Sequence, residues 1–190
     1  MWNRSLCAAL LAGALALPAA QAAEISGHHV ADTQTVNSQA LQLNGGGVRT
    51  KFIFDVYLAV LYTTAKTSDA NAVIQANTPR RIELQMLREV SAAKMHESFV
   101  EGMNDNTPDA QKKFASQLDA LDKLFKEVAS VAKGDVIALD FLPGQGTRVT
   151  VRGKAYPLIV GDDFASALLA IWLGKNPVQS GLKTALLGGH

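Results

Sequence analysis

Arg49 follows three consecutive glycines, Gly45-Gly46-Gly47, and precedes Tyr57 in the stretch LNGGGVRTKFIFDVYLAVLY. A glycine-rich turn of this kind can cradle a phosphate, let the chain reverse, or present its arginine to a ligand. A phosphate cradle normally opens a helix whose N-terminus faces the anion. This run leads instead into Phe52-Ile53-Phe54, which reads as strand. The glycines are therefore expected to permit positive φ in a tight turn between strands. Arg49 and Tyr57 are the polar side chains left to share a ligand group. On an unbroken strand they point the same way but stand roughly 26 Å apart. They meet only if the chain bends, and no glycine or proline between Thr50 and Tyr62 signals a bend. The plainer alternative pairs Arg49 with a neighbouring carboxylate and makes Tyr57 the edge of a core.

Other chemistry finds less support. The 4 histidines are His28, His29, His96 and His190. Neighbours on a strand point to opposite faces, and His96 has no ligand four residues on, so it reads as a satisfied histidine on a helix surface. No metal site and no cofactor is expected. Asp162-Asp163 reads as the cap of a helix beginning at Phe164. No nucleophile-elbow motif supports serine chemistry.

The chain has 190 residues, 48% of them hydrophobic, which suits one domain with a continuous core. Its first residues, MWNRSLCAALLAGALALPAAQA, combine Arg4, an apolar run and the small-x-small end Ala20-Gln21-Ala22. That is the pattern of a secretory signal peptide cleaved after Ala22, leaving 23–190 as a single domain in the periplasm or outside the cell. The apolar run is about a dozen residues, short of the roughly twenty that span a bilayer, so no integral membrane segment is expected. Cys7, the 1 cysteine, falls inside this leader, which leaves no disulfide or thiol chemistry. Without Arg4, Lys+Arg drops from 18 to 17 against Asp+Glu 17, a balance that gives nucleic-acid binding no support.

The elements that must position Arg49 and Tyr57 follow from periodicity. Two short strands precede the glycines between Ser26 and Leu43. From Phe52 to Tyr62 the even positions are all apolar and the odd ones mixed, as in a strand or two with one fully apolar face. A short helix fits 68–76, a strand Arg81–Val90, and a helix Ser91–Gly102 with Met95, Phe99 and Met103 on one face. A second, longer helix carries Phe114, Leu118, Leu121, Leu124, Phe125 and Val128. A hairpin joins Asp135–Leu142 to Thr147–Val151, a short strand covers Tyr156–Val160, and helices follow at Phe164–Leu173 and from Pro177. Hairpins among the strands and helices in the middle and at the end favour α+β, an antiparallel sheet with helices on one face.

Four stretches resemble the chalcone isomerase superfamily in order. LNGGGVRTKF with DVYLAVLY is similar to its glycine-glycine-x-glycine-x-arginine turn and valine-tyrosine strand. Lys94 to Val100 resembles its lysine-valine-x-glutamate-asparagine-x-valine helix, Val131 to Leu142 its glycine-aspartate strand, and Ile171 to Val178 its isoleucine-glycine-lysine-asparagine-glycine-valine segment. The likeness is greatest to the exported bacterial branch. It implies an open-faced β-sandwich, a large antiparallel sheet covered by helices, with a ligand cleft between the layers. It also implies one of two activities, cyclisation of chalcones or non-catalytic binding of fatty acids. The family's arginine falls on Arg49, where a guanidinium can stabilise a phenolate or enolate or hold a carboxylate through paired hydrogen bonds. Tyr57 occupies the position that is threonine in the enzymes and tyrosine in the fatty-acid binders. The enzymes' tyrosine and asparagine fall on Ser91 and Ser98.

The leading expectation is a non-catalytic binder of a small apolar or amphipathic carboxylate, with Arg49 anchoring the acid and Tyr57, Ser91, Met95, Ser98 and Phe99 around it. Phe54, Leu84 and Met86 are further lining or core residues. The alternatives are an isomerase of phenolic enones using Arg49, and an envelope protein that binds a partner or plays a structural part.

Overall fold

The computed structural model describes residues 22–189. Residues 1–21, on which the expected signal peptide and Cys7 fall, and His190 lie outside the described residues. Among the described residues the strands are β1 (Ala22–Ile25), β2 (His28–Ala31), β3 (Thr33–Val36), β4 (Gln39–Lys51), β5 (Phe54–Thr63), β6 (Arg80–Met86), β7 (Val90–Ser91), β8 (Ser130–Val131), β9 (Val136–Leu142), β10 (Gly146–Val151), β11 (Lys154–Ala155) and β12 (Ile159–Val160). The helices are α1 (Ala70–Ile74), α2 (Ala92–Asn106), α3 (Ala110–Lys113), α4 (Ala115–Val128), α5 (Asp162–Leu173) and α6 (Ser180–Leu186).

One large sheet runs β11-β10-β9-β6-β5-β4-β3 with β12 beside β10, and its neighbouring strands pair antiparallel. This is the α+β architecture expected from the sequence. Alternation along the central strands divides them between two cores. Tyr57, Ala59 and Leu61 of β5, Ile82, Leu84 and Met86 of β6, and Ile137, Leu139 and Phe141 of β9 face the helices. Leu58, Val60 and Tyr62 of β5 face the other way and pack with Val30, Val36 and Leu41. That far face is covered in part by the β1–β2 ribbon, and the Tyr62 hydroxyl donates to Ala31 O at 3.0 Å.

The helix layer is locked by aromatic contacts. Phe99 of α2 meets Phe125 of α4 and Trp172 of α5, each with ring centroids 5.6 Å apart and planes at 85°. Edge-to-face pairs of this kind add about 0.5–1.5 kcal/mol each beyond the area they bury. The second helix of the sequence reading is broken at Phe114 into α3 and α4, and α4, at 14 residues, is not longer than α2 at 15.

Two expectations about the glycine stretch are corrected. First, Gly45, Gly46 and Gly47 lie within β4 and make no turn. None of the three has a positive φ. They are needed for close approach: a Cβ on Gly45 would stand 2.2 Å from Ala185 O, one on Gly47 2.9 Å from Ala185 Cβ, and one on Gly46 2.8 Å from Ile25 Cδ1. Alternation thus presents Gly45 and Gly47 to α6 and Gly46 to the β1–β2 ribbon. Second, the reversal falls at Phe52-Ile53, between β4 and β5, where neither glycine nor proline marks it. Phe52 takes a left-handed φ of 58° to make it. Just beyond, Arg49 pairs with Tyr57 and Thr50 with Asp55, so Val56 is the extra residue of a bulge.

Close packing at Gly45 has a measurable consequence. Gly45→Ala forces a methyl against fixed backbone and should lower stability by about 3 kcal/mol. Gly181, within α6, has nothing within 4 Å of the equivalent methyl, and Gly181→Ala should raise stability by about 0.5–1 kcal/mol. Urea unfolding of the two variants checks the contrast.

Candidate functional site

The hairpin brings together what the linear sequence holds apart. Arg49 on β4 and Tyr57 on β5 are direct cross-strand partners and face the helices side by side. Above them a cavity of about 610 Å³ opens between the β4–β5 hairpin, the start of α2 and the segment joining α5 to α6. Arg49, Tyr57, Ser91, Met95, Ser98 and Phe99 all line it, as does Phe54. Leu84 and Met86 do not: they are buried core beneath it. Val56, Val90, Ile171, Pro177 and Val178 complete an apolar wall, while Lys51, Arg88, Lys94, Glu89, Glu101 and Asp105 give the rim mixed charge.

Tyr57 is buried, at 7% exposure, and its hydroxyl oxygen accepts from Trp172 Nε1 at 3.1 Å. Burial pushes the phenol's pKa up, against smaller lowering effects from the Trp172 hydrogen bond and the Arg49 charge. The phenol is therefore protonated at neutral pH, and no described residue accepts its proton. With the indole donating to its oxygen, the phenol keeps its own proton to give to an acceptor.

Arg49 is half-buried, and no carboxylate pairs with it among the described residues. This removes the alternative in which a neighbouring acid satisfies it. Its Nη1 donates to Thr50 O at 2.5 Å and to Gln179 Oε1 at 3.5 Å. Gln179 Oε1 also accepts from Thr50 N at 3.0 Å, and Gln179 Nε2 donates to Val48 O at 3.5 Å. The guanidinium is oriented by neutral acceptors and keeps its positive charge for something else.

The serines are placed differently from each other. Ser91 is the N-cap of α2, its Oγ accepting from Lys94 N at 3.3 Å, so part of its capacity is used by the helix. Ser98, half-buried, lines the wall two turns along. The far end of α2 is clamped to the α5–α6 segment. Asn106 Nδ2 donates to Asn176 O at 2.8 Å, its Oδ1 accepts from Asn176 N at 2.9 Å, and Asn176 Nδ2 donates to Asp105 O at 2.7 Å. Gly174 admits this contact, since a Cβ there would lie 2.2 Å from Asn106 Oδ1. The clamp fixes Pro177 and Val178 against the cavity.

Trp172 and Gln179 orient Tyr57 and Arg49, and sequence reasoning gave neither of them a role. Each comes from a helix or helix edge far along the chain, and only the demand of a buried indole for an acceptor could have flagged Trp172. Two side readings are also corrected. Asp162 and Asp163 sit in the first turn of α5, behind a Gly161 cap, with Asp162 accepting from Gly144 N at 3.0 Å and Asp163 3.2 Å from Lys113. His96 is half-buried against Phe125, and its Nε2 has no partner among the described residues. No group of three or more metal-ligating side chains occurs among the described residues, and no helix there is long and apolar enough to cross a membrane.

An antiparallel sheet under a layer of helices, with a partly apolar cleft between them and an arginine and a tyrosine at its base, defines the chalcone-isomerase-like class of fold. The chain belongs to that family: the family described as chalcone isomerase-like matches residues 22–188. A solved structure with the same fold is a fatty-acid binding protein of Arabidopsis thaliana, with a TM-score of 0.68 and 16% sequence identity over 85% of this chain and 92% of that one. No curated protein sequence matches the chain significantly.

The buried phenols make stability depend on pH. Tyr57 is shifted up, and Tyr62 is pushed up to about 12, first by burial and then by the Glu83 charge. In the unfolded chain both titrate near an ordinary pKa of about 10. The folded state holds these protons more tightly, so their contribution is fully present below about pH 10 and lost as pH rises through the folded values. Urea midpoints should fall across that alkaline window, and less steeply in Tyr57→Phe or Tyr62→Phe.

Proposed function

We propose that this protein is an exported, single-domain, non-catalytic binder of a fatty acid or similar apolar carboxylate, held in the cleft between sheet and helices. One observation carries the reading: an arginine without a carboxylate partner and a phenol with an undonated proton stand side by side at the base of a cleft walled by Met95, Phe99, Val56 and Ile171. A carboxylate complements both, taking the Arg49 guanidinium through charge-assisted bonds and the Tyr57 proton through another. An alkyl chain then lies along the apolar wall, and the cavity of about 610 Å³ is of the size that takes small ligands. The fatty-acid binding protein that shares this fold supports the same ligand class. Export is supported by the leader ending at Ala22.

The isomerase alternative asks Ser91 and Ser98 to position a reacting ketone and phenol. Ser91 Oγ is engaged in capping α2, and Tyr57 stands where the enzymes carry threonine, both of which favour the binder.

Native mass spectrometry of the purified protein should find a bound apolar acid, and palmitate should bind when added. Arg49→Gln should weaken palmitate about 10- to 100-fold, the loss expected for charge-assisted hydrogen bonds, and Tyr57→Phe about fivefold. A protein that carries no apolar acid and fails to bind palmitate at saturating concentration contradicts the proposal.

A further inference from the structure

We infer that the tip of the β4–β5 hairpin is a lipid-docking element that inserts into the surface of a phospholipid bilayer. Three large apolar side chains occupy the tip in succession: Phe52 is 90% exposed, Ile53 85% and Phe54 52%. They rank with Val160 as the large apolar residues most open to water among the described residues. The backbone does not ask for them. Phe52 sits at a left-handed φ of 58°, where a hairpin turn favours glycine, asparagine or aspartate and an aromatic residue is strained. The tip thus carries both an unfavourable conformation and an unfavourable surface.

The occupant follows from area and shape. The exposed apolar surface of these three residues is about 400 Å², half of the roughly 800 Å² that each side of a stable protein interface contributes. A small convex knob finds no groove to fill in a flat partner, whereas a bilayer interface accepts it without shape complementarity. Cations flank the tip as headgroup phosphates require: Lys51 is exposed beside it, and the Arg88 guanidinium lies 4.7 Å from the Phe54 ring centroid. Acids stand as near: Asp55 accepts from Thr50 Oγ1 at 2.8 Å, Glu89 and Glu101 share the cleft rim, and Glu97 pairs with Lys94 at 2.8 Å. Cations and acids balance around the tip, so apolar insertion and not charge drives docking.

Lys51, Phe52, Phe54 and Arg88 also line the mouth of the cleft. Docking by the tip sets that mouth against the lipid, so an amphipathic acid passes between bilayer and Arg49 without crossing bulk water. This passage rests on the binding function proposed above, while the docking itself does not.

The test uses the purified protein and vesicles of phosphatidylethanolamine with phosphatidylglycerol, read by cosedimentation. The wild type should sediment with the vesicles. Ile53→Asp, a residue outside the cleft lining, should lower partitioning at least about tenfold while palmitate affinity in solution is unchanged. Phe52→Gly should lose vesicle binding with a melting temperature no lower than wild type, which excludes unfolding as the cause. A wild type that stays in solution at saturating lipid, or an Ile53→Asp variant that partitions like it, overturns the inference. So does self-association that Ile53→Asp abolishes in the absence of vesicle binding, since the tip then serves a second copy of this chain. Vesicle binding by a protein that takes no palmitate leaves docking standing and overturns the passage of ligand.

Discussion

The cleft depends on the two-residue reversal at Phe52 and Ile53, which folds β5 back along β4 and sets Arg49 opposite Tyr57. Without it the two side chains would be separated by the length of a strand. With it they become neighbours on one sheet face, because the bulge at Val56 shifts the register by one residue and sets Tyr57, not Val56, opposite Arg49. A guanidinium beside a phenol is an unbalanced arrangement. It persists because Thr50 O and Gln179 satisfy part of the arginine, Trp172 satisfies the phenol oxygen, and the cavity leaves the remaining capacity unused.

The helix layer exists around this pair in a specific sense. α6 can lie on β4 only because Gly45 and Gly47 present no side chain to it, and that contact carries Gln179, at the N-terminal edge of α6, to Thr50 N, Val48 O and the Arg49 head group. α5 meets the sheet through Trp172, which is fully buried and stacked edge-on against Phe99. The same glycines that looked like a flexible turn are therefore close-packing positions, and their lack of a side chain is what lets two distant helical segments reach the site.

Much of this was legible in the sequence, and the exceptions have physical reasons. Alternation in Ile82, Leu84 and Met86 and the four-residue spacing of Met95, Phe99 and Met103 identified β6 and α2 because each element buries one face against a single core. β5 was harder, since from Tyr57 onward both of its faces are buried and the apolar run extends through the turn into Phe52. A reversal made by a left-handed phenylalanine carries no local signal, so the meeting of Arg49 and Tyr57 was hidden although both residues were singled out. Met95 and Phe99 were legible as one helical face, and Ser91 and Ser98 through the family resemblance alone. Trp172 and Gln179 were not, because their roles are set by tertiary contacts with partners more than a hundred positions earlier in the chain, Tyr57 and Arg49.

The central claim is that Arg49 and Tyr57 together receive a carboxylate at the base of the cleft. A crystal structure of the protein with palmitate tests it most directly. The account predicts the carboxylate within hydrogen-bond distance of both the Arg49 guanidinium and the Tyr57 hydroxyl, with the alkyl chain running past Met95 and Phe99 toward the mouth. A palmitate bound the other way round, its carboxylate at the rim beside Arg88 or Lys94 and its methyl end against Tyr57, would contradict it.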